Sequence, residues 1–173
     1  MLIRRLFTGG ALLGLASVVS AASLSGSGLS NGTSFGQRGV VGCGTTTLTQ
    51  STSQSIVAGS ISCNATSLHT NNSYFRAFSL GAFPNGFDVC ALQFGVEQAN
   101  AGDPATTQPV TVNIYANTGG TFPAGTRVLV GTAAVSVADQ TLTILEAPVT
   151  AAVPAGAELV AEVFSPSGQT AGH

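Results

Sequence analysis

Pro-Val-Thr-Val-Asn-Ile-Tyr-Ala-Asn, residues 109–117, decides the fold. Val110, Val112 and Ile114 alternate with Thr111, Asn113 and Tyr115, the period-two signature of a half-buried β-strand. A helical stripe would need apolar residues three and four apart. Less regular runs of the same kind lie on both sides, each closed by Pro, Gly or Asn. Working outward, the spacing predicts strands over 73–80, 87–97, 127–130, 133–137, 141–145 and 158–164. Tyr74, Phe78 and Leu80 would share one face of the first of these, and Cys90, Leu92, Phe94 and Val96 one face of the second. The last, Glu158–Phe164, is apolar on both faces, as a central strand should be.

Three stretches of related composition, Phe83–Gly86, Phe122–Gly125 and Val153–Gly156, each place a proline second and a glycine fourth, the signature of a chain reversal. Short strands separated by turns, with no helical segment between them, predict an all-β chain: an antiparallel β-sandwich, jelly-roll-like. Upstream, Gln54–Cys63 has enough Ile and Val to be expected as a first strand pair or an edge strand, with a solvated stalk as the alternative.

Charged residues make up 7% of the 173 residues, and lysine and tryptophan are absent. Met1–Ala21 reads as a signal peptide, with Arg4 and Arg5 as its charged start, Leu6–Val19 as its apolar run and Val19-Ser20-Ala21 as a small-residue cleavage site. Residues 22–50 follow as a flexible Ser/Thr/Gly-rich leader, and 51–173 as the β-sandwich module. Removal of the signal leaves Arg38, Arg76 and Arg127 against seven acids. No basic cluster is present to neutralise phosphates, so nucleic acid is excluded as a partner, and an anionic membrane is not expected once the signal is cleaved.

Export makes disulfides the expected fate of Cys43, Cys63 and Cys90, and an odd count leaves one unpaired. Cys43–Cys63 and Cys63–Cys90 would each contribute about 3–4 kcal/mol through loop closure, so entropy does not choose between them. The chain ends inside a turn-like segment soon after a strong strand. With the odd cysteine, that gives the expectation of a fragment incomplete at its C-terminus, its missing cysteine partner beyond His173.

The chemistry-bearing residues are sparse. His69 lies in a polar segment and His173 is the last residue. No Gly-x-Ser-x-Gly elbow occurs, so no catalytic residue is assigned and the chain is read as not an enzyme. The cysteines are too far apart in sequence for a transition-metal site. Calcium is the possible cofactor, with Asp88, Asn100 and Asp103 as weak candidate ligands converging on one loop. Arg76 is expected to form a structural ion pair with Glu97 or Glu162, because an unpaired buried charge is costly; a ligand-reading arginine is the alternative. Tyr115 projects away from Val110, Val112 and Ile114, but one ring is a thin platform for a sugar. The phenylalanines read mostly as core.

Asn71–Phe78, Gln93–Gln98, Pro109–Tyr115 and Ala157–Ala171 resemble, in order, a module of unassigned function found in secreted bacterial proteins. The resemblance covers roughly residues 50–173. It implies a β-sandwich within a larger, surface-associated chain and brings no catalytic residues. The expected function is a secreted, non-catalytic module for surface attachment, assembly or adhesion, at the bacterial cell surface or outside it. Its partners would be other domains of a larger secreted protein or a surface component. The alternative is a glycan- or calcium-binding accessory module of an exported enzyme.

Overall fold

The computed structural model describes residues 18–22, 46–65, 68–101 and 107–168. These form ten strands and no helix: β1 (Val18–Ala22), β2 (Thr46–Leu48), β3 (Asn64–Ala65), β4 (Leu68–His69), β5 (Asn72–Phe78), β6 (Phe87–Ala99), β7 (Thr107–Thr118), β8 (Thr126–Ala138), β9 (Gln140–Val153) and β10 (Glu158–Ser165). One sheet has the order β2-β1-β6-β9 and the other β5-β10-β7-β8, with β3-β4 as a separate small hairpin. Every pairing is antiparallel. The all-β, antiparallel fold class expected from the alternation is the one observed.

Period-two alternation places Val110, Val112, Ile114 and Ala116 of β7 inward, beside Leu159, Ala161 and Val163 of β10. From the opposite sheet, Leu92, Phe94 and Val96 of β6 and Ala147, Val149, Ala151 and Val153 of β9 meet them in a common core. Burying a side chain such as Phe94 or Leu159, both 0% exposed, stabilises the fold by about 1.5–3 kcal/mol before chain entropy is counted.

The expected face of β6 needs one correction. The ladder to β1 skips Cys90, with Ser20 opposite Ala91 and Ala21 opposite Val89, a β-bulge in β6, and the ladder to β9 shifts register at the same point. The extra residue turns Val89, fully buried, to the core beside Leu92, while Cys90 is only half-buried.

Two further expectations change. The separate strands predicted over 127–130 and 133–137 are one thirteen-residue strand, β8, and the strand expected over 141–145 runs on to Val153. Gly131 explains the first. The β7–β8 register slips between Ile114 and Tyr115, leaving Val130, the neighbour of Gly131, as the extra residue, so β8 bulges here without ending. A Cβ on Gly131 would lie 2.6 Å from the Thr150 carbonyl oxygen and 2.7 Å from the Ala151 Cβ. The two sheets therefore meet at this corner, and only glycine permits the approach.

Gln54–Cys63 is not a strand. Val57 and Ile61 are 79% and 82% exposed, and the segment is held by side chains instead of a ladder. Tyr74 Oη donates to the Ile61 carbonyl at 3.2 Å, and the Cys63 amide donates to Asn72 Oδ1 at 2.6 Å. Glu97 accepts from the Gly59 and Ser60 amides, both at 2.7 Å, and from the Ser60 hydroxyl.

The three Pro/Gly turns also differ. Phe83–Gly86 is closed by a 3.0 Å bond from the Gly86 amide to the Phe83 carbonyl, whereas the third turn closes one residue later, Ala157 to Pro154 at 3.3 Å. In the second, the Phe122–Pro123 peptide is cis.

Val18–Ala22 overlaps the end of the stretch read as an export signal. It pairs with Asp88–Gln93 of β6 on one side and Thr46–Leu48 on the other. The rest of that signal, most of the leader, Cys43, Asp103 and His173 lie outside the described residues.

Candidate ligand-binding face

The outer face of the sheet β5-β10-β7-β8 carries the most concentrated chemistry of the described residues. The register sets Phe75, Glu162, Asn113 and Thr132 side by side across four strands. The neighbouring row is Ala77, Val160, Tyr115 and Leu129, followed by Glu158, Asn117 and Arg127. Alternation along β7 is the cause: facing Val112 and Ile114 inward forces Asn113, Tyr115 and Asn117 outward.

A loop then adds a third ring. Buried Asn117 donates through Nδ2 to the carbonyls of Gly120 (2.9 Å) and Ala124 (3.1 Å) and to Glu158 Oε2 (2.9 Å). The same Glu158 oxygen accepts the Phe122 amide at 2.7 Å. Gly125 completes the loop at φ +89°, where a Cβ would fall 2.7 Å from both Asn117 Oδ1 and the Thr118 carbonyl oxygen. These bonds hold Phe122 beside Phe75, their ring centroids 5.4 Å apart.

Arg127 lies over this cluster. Its guanidinium carbon is 5.2 Å from the ring centres of Phe75 and Phe122 and 5.9 Å from that of Tyr115. Such contacts contribute about 0.5–1 kcal/mol at an exposed site. They also restrict a long side chain whose N–H groups have no acceptor among the described residues.

Beneath the rings, Glu162 is 7% exposed. Its Oε2 accepts from Tyr115 Oη at 2.6 Å and Asn113 Nδ2 at 2.9 Å, and Asn113 Oδ1 in turn accepts from Thr132 Oγ1 at 2.7 Å. Burial, then the hydrogen bond and negative charge of Glu162, push the Tyr115 phenol up to about 12.

The candidate sites named from the sequence fare differently. Asp88 and Asn100 do not converge: they mark the two ends of β6, roughly 40 Å apart at about 3.3 Å per residue. Among the described residues no three His, Cys, Asp or Glu side chains gather around a metal-sized space. Of the two carboxylates expected beside Arg76, Glu162 lies on the other face of the sheet. Arg76 aligns with Ala161 and Phe75 with Glu162, so Arg76 and Glu162 project from opposite faces of the sheet.

Glu97 clasps Gly59 and Ser60. Burial works to raise its carboxyl, but the hydrogen bonds from Ser60 and Gly59 outweigh that and hold it below the ordinary value. His69 is buried, with Nε2 2.7 Å from the Pro166 carbonyl oxygen. Cys63 is an exposed free thiol, and Cys90 is half-buried and engaged.

Phe75, Phe122 and Arg127 were not singled out from the sequence as a site. Phe75 is out of phase with Tyr74 and Phe78 on β5, a readable sign that it faces outward. The position of Arg127 becomes meaningful only once the β7–β8 register sets it opposite Asn117.

Comparison with protein-family profiles, with curated proteins and with solved structures returned no match.

Proposed function

We propose that the chain is an exported, non-catalytic β-sandwich module that attaches its bearer to a surface polymer through the outer face of the sheet β5-β10-β7-β8. The observation that carries this reading is Arg127: an exposed cation over three aromatic rings, its donors without an acceptor among the described residues, on a face that also carries Asn113, Thr132 and Glu162. Flat rings beside directional polar groups form a surface suited to sugar rings and their hydroxyls. The calcium form of the accessory reading loses support, because Asp88 and Asn100 sit at opposite ends of one strand.

The export reading bears on the cysteines. Cys63 is the free thiol, and we infer that Cys90 pairs with Cys43 in the oxidised protein. It bears equally on β1: cleavage after Ala21 removes most of that strand and opens the Asp88–Gln93 edge of β6.

The test of the attachment reading is retention of the exported chain on insoluble polysaccharides and bacterial cell-wall preparations, compared with Phe122→Ala. Retention by the wild type, with loss of at least tenfold in the variant at unchanged circular dichroism, is the expected result. Retention indifferent to Phe122, or turnover of the polymer, would contradict it.

A further inference from the structure

We propose that Arg127 reads the carboxylate of an acidic, uronate-bearing glycan, a proposal that rests on the attachment reading above and names its ligand class. Of the arginines in the described residues, Arg76 is half-buried and on the inner side of its sheet, whereas Arg127 is exposed on the outer face. Its guanidinium is stacked, not paired. The contacts to Phe75, Phe122 and Tyr115 come from rings, which leave the planar N–H fork without a protein acceptor among the described residues. A guanidinium fork matches a carboxylate in bidentate geometry, and a side chain already restrained by stacking loses less freedom when it binds.

The surroundings select the kind of anion. Glu158 and Glu162 lie on the same face, the first in the register row of Arg127 and the second two rows away. A densely acidic partner would bring several negative charges against these two carboxylates and be repelled. A ligand with one carboxylate per unit, separated by neutral hydroxyls, places its charge on Arg127 and its hydroxyls on the groups that follow. Asn113 and Thr132 supply an amide and a hydroxyl. Glu162 Oε1 takes no hydrogen bond from the described residues and can accept one. Phe122, half-buried on its loop, adds ring surface beside them. That combination describes a uronic-acid polymer better than an acidic peptide.

The experiment measures apparent affinity of the full exported chain for four immobilised polymers at physiological ionic strength: polygalacturonate, its methyl ester, a neutral glucan and polyglutamate. The variants are Arg127→Gln, Arg127→Lys and Phe122→Ala. Arg127 is exposed and Arg127→Gln is expected to fold.

The expected result is binding to polygalacturonate that falls at least about tenfold in Arg127→Gln, the scale of a charge-assisted bidentate contact. It should also fall on methyl esterification and be only partly kept by Arg127→Lys, which retains the charge but not the fork. Equal binding by wild type and Arg127→Gln, equal binding to the methyl ester, or preference for polyglutamate overturns the proposal. Neutral-glucan binding lost in Phe122→Ala but not in Arg127→Gln overturns the carboxylate claim and leaves the attachment reading standing. Binding to none of the polymers overturns the acidic-glycan claim, while retention on cell-wall preparations still decides the attachment reading.

Discussion

On the central strand β10, Leu159, Ala161 and Val163 face the core at 0%, 2% and 0% exposure, while Val160 and Glu162 face the other way at 0% and 7%. Both faces of the strand are covered, but by different means. The inner face is closed by aliphatic packing against the second sheet. The outer face is closed by a small polar and aromatic assembly in which a buried carboxylate is satisfied by Tyr115 and Asn113 and an arginine rests on three rings. Packing of the first kind contributes stability in proportion to area. The second kind contributes little net stability, because the desolvation of Glu162 offsets much of what its hydrogen bonds return. A face that is costly to build and adds little to stability is where a ligand-facing role belongs.

That contrast can be broken at several points. The largest effect should come from the inner face: Phe94→Ala, at a fully buried position, is expected to destabilise by about 3–5 kcal/mol in urea unfolding. A loss below about 1 kcal/mol would mean that the two sheets do not pack as described.

Gly125→Ala comes next. The residue sits at φ +89° with no room for a Cβ, so a cost of about 1–3 kcal/mol is expected, together with loss of ligand retention because the same loop carries Phe122. Retention at wild-type level would separate Phe122 from the binding face.

Tyr115→Phe removes one hydrogen bond and should cost about 1 kcal/mol near neutral pH. Its sharper signature is alkaline. The folded phenol is raised from 10.0 to about 12, so the folded state holds its proton more tightly than the unfolded chain does. That contribution is fully present below about pH 10 and is lost as pH rises toward 12. Tyr115→Phe should flatten this limb of the stability profile, and an unchanged limb would contradict the Tyr115–Glu162 contact. Glu97 works in the opposite sense. Its carboxyl is lowered, so its contribution is present above the ordinary value of 4.5 and fades as pH falls through the folded one. The acid limb should therefore weaken in Glu97→Gln.

The smallest expected effect on stability is that of Arg127→Gln, within about 0.5–1 kcal/mol, the range of an exposed cation–π contact. The thiols offer an independent check. Maleimide labelling of the oxidised protein should modify one cysteine per chain, Cys63, and labelling of Cys90 as well would contradict the pairing inferred above.

How much of this was legible in the sequence follows the same division. Residues 109–117 announced their strand because the inward face of that stretch, Val110, Val112, Ile114 and Ala116, is apolar, and alternation reports such contrast directly. The strand predicted over 158–164 was equally readable, since apolar residues on both faces imply cover on both sides. What covers the outer face was not readable. Tyr115, Glu162 and Arg127 come together only through two long-range registers, β10–β7 and β7–β8, and the second contains a bulge. Phe122 enters through a loop shaped by Asn117 and Glu158, neither of which has a motif. Gln54–Cys63 misled because its isoleucines and valine have strand propensity, whereas its backbone is claimed by the side chains of Glu97, Asn72 and Tyr74. Asp88 and Asn100 misled because closeness to turns in sequence was read as closeness in space.

The most direct test of the central claim is to follow backbone amide shifts of the folded chain during titration with a short oligogalacturonate. The account predicts saturable shifts concentrated at Phe75, Asn113, Tyr115, Phe122, Arg127 and Thr132, with the inner-face amides of β6 and β9 undisturbed. Saturable shifts centred elsewhere, or none at all while Arg127 keeps its place over the rings, would show that the outer face is a structural cover and not a site.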